Sequence, residues 1–238
     1  MNATAPTARV ALVTGANKGL GRETARRLLA AGHTVYLGSR DAGRGQRAAD
    51  ELGARLLLLD VTDDRSVTAA ATRVRDQAGR LDVLVNNAAV VGALDRATAD
   101  VGADDVRIVH DTNVLGVVRV TRTFLPLLLD SPAGVIVNVS SGMGSLTRTT
   151  DPRHMESAWP SLAYASAKAA LNMLTVQYAK AFPTLRINAV DPGLTATDAT
   201  GGMGKSIDQG VRAAVAMALI DGDGPTGTFT DSDGPVPW

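Results

Sequence analysis

The chain has 238 residues, no cysteine, and 24 basic side chains against 24 acidic ones, so its formal charge is zero. That length suits one well-buried α/β domain, and the charge balance offers no electrostatic footprint for nucleic acid or an anionic membrane. The missing cysteines exclude disulfides, thiolate metal sites and cysteine nucleophiles.

Arg9 to Thr14 is a short apolar run ending at glycine, which predicts a buried strand. Leu20 to Ala31 has helical spacing and stops at Gly32. Thr34 to Gly38 reads as a second strand, and Gly45 to Leu52 as a second helix ending at Gly53. Arg55 to Leu59 is a leucine-rich third strand closed by Asp60. Asp63 to Ala78 is helical, with Gly79 as its stop. Leu81 to Val85 is a fourth strand running into Asn86-Asn87. Helical character from Asp104 to Leu128 breaks near Asp111 to Asn113. Val135 to Val139 is a fifth strand, Ser161 to Ala181 a long helix, and Arg186 to Val190 a sixth strand. Ile207 to Leu219 is a last helix and Gly227 to Thr230 a short final strand. Apolar strands alternating with helices predict an α/β fold, a doubly wound parallel sheet of about seven strands in a single domain spanning 1–238.

Residues 1–8 read as a flexible tail, short and polar, with no apolar stretch of signal-peptide length. Val114 to Leu129 is interrupted by Arg119, Arg122 and Pro126, unlike a membrane span. A cytoplasmic protein is expected. No metal site is expected either, because His33, His110 and His154 lack partners at ligand spacing.

Every polar cluster of interest falls at the carboxyl end of a strand, where such a fold places its ligand crevice. The loop Thr14-Gly15-Ala16-Asn17-Lys18-Gly19-Leu20-Gly21 joins the first strand to the first helix. Its glycines allow a tight turn, and the helix start offers free N–H groups to a pyrophosphate. At the end of the second strand stands Gly38-Ser39-Arg40, with no carboxylate before Asp41. Arg40 and Lys18 together suit a 2′-phosphate, so the expected cofactor is NADP(H). Asp60, with the Val61 backbone, is placed for the adenine.

Tyr164 and Lys168 stand one helical step apart, so phenol and ammonium address one small volume. A nearby ammonium favours the phenolate and lowers the phenol pKa towards the working range. That pair is a candidate proton relay.

Together these motifs resemble the short-chain dehydrogenase/reductase family, from about Arg9 to the C-terminus. The resemblance is carried by the loop at 14–21, Asn86-Asn87-Ala88-Ala89, Asn113, Val139-Ser140-Ser141, Tyr164-x-x-x-Lys168 and Pro192-Gly193-Leu194-Thr195-Ala196-Thr197. Ala89 departs from the family's usual glycine. The resemblance implies an oxidoreductase moving hydride between NADP(H) and a carbonyl or alcohol, with Tyr164 as proton donor. It also implies that Lys168 bonds the nicotinamide ribose, that Ser141, or Ser140 beside it, holds the reacting oxygen, and that Asn113 organises a water. Asn87, Ala88, Pro192 and Gly193 join the cofactor contacts, and Thr195 and Thr197 hold the carboxamide.

Ser141 and Tyr164 are 23 positions apart, longer than the family's common spacing. The extra segment, 145–161, resembles the insertion of carbonyl reductases and is expected to lie across the substrate crevice. The glycine-rich loop 198–206 is expected to act as a mobile lid. Met143, Met155, Trp159 and Met203 would then favour a hydrophobic aldehyde, ketone or quinone. A small-molecule partner and a monomer rather than a homodimer are expected. The alternatives are a non-catalytic NADP(H)-sensing regulator on the same fold, or a β-ketoacyl reductase.

Overall fold

The computed structural model describes residues 8–92 and 97–238, so the expected tail lies almost wholly outside the described residues. Seven parallel strands form one sheet in the order β3-β2-β1-β4-β5-β6-β7. They are β1 (Val10–Val13), β2 (Thr34–Ser39), β3 (Arg55–Leu58), β4 (Val83–Asn86), β5 (Val135–Val139), β6 (Arg186–Val190) and β7 (Phe229–Thr230). The order reverses between β1 and β4, which creates a crevice beyond their carboxyl ends.

Alternation along the strands fills two cores. Leu12, Tyr36, Leu84 and Ile136 face one side, where α3 (Asp64–Ala78) contributes Val67 and Val74 and α5 (Gly116–Leu129) contributes Phe124 and Leu128. Val13, Leu37, Val85 and Val137 face the other, against Leu28 of α1 (Gly19–Ala30), Ala48 of α2 (Ala42–Leu52) and Ala214 of α9 (Arg212–Ala218). Each buried leucine or phenylalanine removes enough apolar surface from water to contribute about 2–3 kcal/mol.

Several boundaries move for local reasons. Helix α2 starts a turn early because Asp41 caps it, accepting the Arg44 N–H at 2.8 Å. Strand β4 starts at Val83, although the Asp82 backbone already bonds Val10 and Val135, and the Asp82 carboxylate accepts the Val10 N–H at 2.7 Å and the Ser131 hydroxyl at 2.6 Å. The predicted helix 207–219 is two pieces, α8 (Ile207–Gly210) and α9.

The stretch Ala103–Leu129 is long and apolar enough to cross a bilayer by composition. Here it comprises α4 (Ala103–His110), a π-helical turn (Asp111–Leu115) and α5, and the turn carries the expected break. Its buried residues, including Val109, Val120 and Phe124, pack within the fold.

Candidate active site

A cleft of about 890 Å³ opens at the reversal point. Gly15, Asn17, Lys18, Gly19, Leu20, Gly21, Arg40, Asp60, Val61, Asn87, Ala88 and Thr197 line it, all of them expected cofactor contacts. Arg44, Thr112 and Ile207 also line it, and no sequence motif marked them.

The loop ahead of α1 is built to receive an anion. Gly15 and Gly19 take φ of +62° and +57°, which side chains rarely adopt. A Cβ on Gly15 would stand 2.9 Å from the Ala88 Cα, and one on Gly21 would collide with the Asn87 amide. Asn87 clamps the loop, its amide donating to the Thr14 carbonyl at 2.8 Å. The Thr14 hydroxyl accepts the N–H groups of Asn87 and Ala88, both at 2.9 Å. Helix α1 has no capping side chain and no acid in its first turn, so its N–H groups are free for a phosphate.

Beyond the loop, the cleft carries Lys18, Arg40 and Arg44. Asp41 is spent, since it caps α2 and pairs with Arg44 Nε at 2.8 Å. Asp60 Oδ1 accepts from Thr62 N–H at 2.9 Å and Thr62 Oγ1 at 2.7 Å. Lys18 Nζ reaches across the cleft mouth to Asp198 Oδ2 at 2.7 Å. These groups fit a dinucleotide carrying a 2′-phosphate.

The hydroxyl corner is separate: Ser141, Tyr164, Lys168 and Asn113 do not line the cleft itself. Tyr164 and Lys168 project from α7 (Leu162–Ala181), with Lys168 Nζ 5.5 Å from the Tyr164 ring centroid. Helix α7 is docked by polar bonds to the ends of β4 and β5. Ser140 Oγ donates to Asn172 Oδ1 at 2.6 Å, and Asn138 Nδ2 donates to Thr175 Oγ1 at 2.9 Å. Asn86 Nδ2 in turn donates to Asn138 Oδ1 at 2.9 Å. Ser140 is therefore committed to the core, and Ser141 is the serine that bonds the Tyr164 phenol.

Electrostatics differ from the sequence expectation. Burial pushes the Tyr164 phenol up to about 12, with Ser141 opposing and Asp191 adding to the rise. Burial pushes the Lys168 ammonium down to about 8, with Asp191 opposing. The phenol is thus raised by burial rather than lowered by Lys168. The lysine is desolvated and donates to the Val139 carbonyl at 2.7 Å, so its charge is directed at backbone.

Other expected residues are engaged within the fold. The Asn113 side chain is engaged twice with Val90, accepting its N–H at 2.9 Å and donating to its carbonyl at 2.8 Å. The Thr195 hydroxyl is buried and bonds the carbonyls of Pro192 at 3.2 Å and Gly193 at 3.0 Å, so it is turned away from the cleft. Tyr164, Lys168, Pro192, Gly193 and Thr195 are absent from the cleft lining. Loop 198–206 is internally bonded: Ala196 and Lys205 exchange backbone bonds with the opposite limb, and Thr200 Oγ1 donates to the Thr195 carbonyl at 2.7 Å.

The segment before Tyr164 forms α6 (Leu146–Thr150) and a 3-10 turn, Met155–Ala158. It lines a recess of about 360 Å³ with Met143 and with Leu162, Ala165 and Ala169 of α7, rather than the cofactor cleft. Trp159 joins that recess, whereas Met155 and Met203 line neither cavity and are more than half exposed. Among the described residues no cluster of His, Asp and Glu could hold a metal.

The family model for short chain dehydrogenases matches residues 9–208. The chain is 32% identical to salutaridine reductase of Papaver bracteatum, with 94% of each chain covered. It is 34% identical to (-)-isopiperitenone reductase of Mentha piperita, covering 94% of this chain and 96% of the relative. Both alignments run over more positions than this chain has residues, so the relatives carry additional sequence within the matched span. Among solved structures, the NADPH-bound carbonyl reductase from chicken fatty liver superposes with a TM-score of 0.85 at 26% identity, covering 97% of this chain and 99% of that one. The chain belongs to the short-chain dehydrogenase/reductase family, a family of oxidoreductases using nicotinamide cofactors.

Proposed function

We propose that the chain is an NADPH-dependent reductase of hydrophobic aldehydes, ketones or quinones, with Tyr164 as proton donor. The observation that carries this reading is the Ser141–Tyr164 hydroxyl pair with the buried Lys168 beside it on α7, in a fold whose cleft carries Lys18, Arg40 and Arg44. When bound, the cofactor supplies the hydride. The helix start at Gly19 receives its pyrophosphate, and Lys18 and Arg40 receive the 2′-phosphate. Ser141 orients the carbonyl oxygen, and the Tyr164 hydroxyl donates a proton to that oxygen as it gains charge. A phenol raised to about 12 stays protonated at neutral pH, which favours reduction over alcohol oxidation. Lys168 would bond the ribose, and Pro192, Gly193 and Thr197 would border the nicotinamide. The π-turn that carries Asn113 packs, with α4, beside α7.

NADPH and NADH consumption against a panel of hydrophobic aldehydes, ketones, quinones and β-ketoacyl thioesters tests the reading. Tyr164→Phe should bind NADPH as the parent does while turnover falls on the order of 10²–10⁴-fold. Retained turnover in that variant, or a parent that binds NADPH but reduces nothing in the panel, would overturn it. A preference for the β-ketoacyl thioester would move the chain to that substrate class.

The segment 145–161 borders a recess beside Leu162, Ala165 and Ala169 of α7, which supports a monomer. A single species of about 24.6 kDa in sedimentation at micromolar concentration is expected, and a stable dimer would refute this.

A further inference from the structure

One buried charge cluster beside the hydroxyl corner has no part in the chemistry described so far. Asp191 closes β6 and is only 3% exposed. Its Oδ1 accepts the Gly193 N–H at 2.8 Å, and the Gly142 N–H bonds to the same carboxylate. Gly142 directly follows Ser141, and Gly193 belongs to the turn that follows β6. One carboxylate therefore joins the two loops that flank Tyr164.

Arg148 of α6 holds that carboxylate from the other side. Its Nη1 donates to Asp191 Oδ2 at 3.1 Å and its Nη2 to Asp231 Oδ2 at 2.8 Å. Glu156 Oε1 lies 3.6 Å from the same Nη1. Arg148, Glu156 and Asp231 are each mostly buried. Gly142 makes the approach possible, since a Cβ there would collide with the Glu156 carboxylate and lie 2.9 Å from Asp191 Oδ2. Burial raises the Asp191 pKa and Glu156 adds to the rise, while the two N–H bonds and Arg148 lower it.

A buried ion pair contributes little net stability, because desolvation cancels most of the attraction. The local geometry gives this one a different use. A displacement of about 1 Å in a group that orients substrate can reduce turnover by about two orders of magnitude, and both amides held by Asp191 sit in the loops that set such positions.

We propose that Asp191 is a positioning residue of the active site: its carboxylate ties the Ser141 loop to the Pro192–Gly193 turn, and Arg148 holds it from the segment ahead of Tyr164. The inference rests on the reading of Ser141 and Tyr164 as the reacting hydroxyls. It also gives that segment a task, as an anchor for the catalytic loops.

The test uses full-length protein. Amide hydrogen exchange at Gly142 and Gly193, without cofactor, reads the tie directly. Asp191→Asn should speed exchange at Gly142 or Gly193 by about tenfold or more, because an amide side chain cannot accept both N–H groups as a carboxylate does. On a carbonyl that the parent reduces, kcat should fall roughly 10–100-fold with the KM for NADPH within about threefold. Arg148→Met should lower kcat in the same way, and Arg148→Lys should recover part of that loss. Arg153→Gln, in the same segment but exposed, should match the parent. A folded Asp191→Asn protein with parental exchange and parental kcat would overturn the proposal. Should that variant fail to fold, equal kcat in Arg148→Met and Arg148→Lys would do the same. A parent that binds NADPH yet reduces no carbonyl defeats the proposed function, and the exchange measurement still decides the tie.

Discussion

Replacing Lys168 with methionine should make the protein more stable while abolishing turnover. The amine is 2% exposed, and its pKa falls from 10.5 to about 8. The unfolded chain therefore holds that proton more tightly than the folded one. The resulting penalty is complete below about pH 8, shrinks as pH rises, and is gone above 10.5. A difference of 2.5 units corresponds to about 3 kcal/mol. Loss of the charge-assisted bond to the Val139 carbonyl offsets about 2 kcal/mol, leaving a net gain of about 1 kcal/mol at pH 7. For a chain of this length that is a rise of roughly 2–4 °C in melting temperature. Thermal unfolding of parent and Lys168→Met, without cofactor, at intervals from pH 7 to 10.5 provides the assay. The advantage of the variant should narrow across the upper part of that range. Tyr164 titrates in both proteins, so its own contribution cancels in the difference. A gap between the two proteins that stays constant with pH would refute the account of a desolvated ammonium.

Two further substitutions address cofactor choice. Arg40→Asp should erase or reverse a preference for NADPH over NADH of about tenfold or more, read as the ratio of kcat/KM values. Asp198→Asn should free Lys18 from its partner across the cleft mouth and tighten NADPH a few-fold in fluorescence titration, leaving NADH unchanged. That gain should shrink as ionic strength rises, since both side chains are largely exposed. An equal effect on both cofactors would mean that Lys18 does not meet the 2′-phosphate.

The strands were legible because each is a short apolar run bounded by glycine or a polar residue, and β5 matches its predicted limits throughout. The glycine loop and the Tyr164–Lys168 step were legible because both depend on spacing within a single turn or helix. What sequence spacing did not carry was pairing across long separations. Arg148 meets Asp191 and Asp231 through bonds spanning 43 and 83 residues, and nothing local marks those acids. The direction of the Lys168 ammonium was also hidden, because it depends on the Val139 carbonyl of a different element. Helix α6 went unrecognised because its threonines and Asp151 read as loop, although Ser145 caps it by accepting the Arg148 N–H at 3.0 Å.

In an all-parallel sheet the loops of this site are held by partners far along the chain. The glycine loop is secured by Asn87, 73 positions further on, and the Ser141 loop by Asp191 and, through Arg148, by Asp231. Such pairings have high contact order, so loop closure must be bought before any of them is rewarded. As the chain is synthesised, the glycine loop and its Asn87 clamp emerge with β1 to β4, well before Arg148, Asp191 and Asp231. The clamp on the glycine loop and the tie between the later loops therefore become possible at different times, in that order.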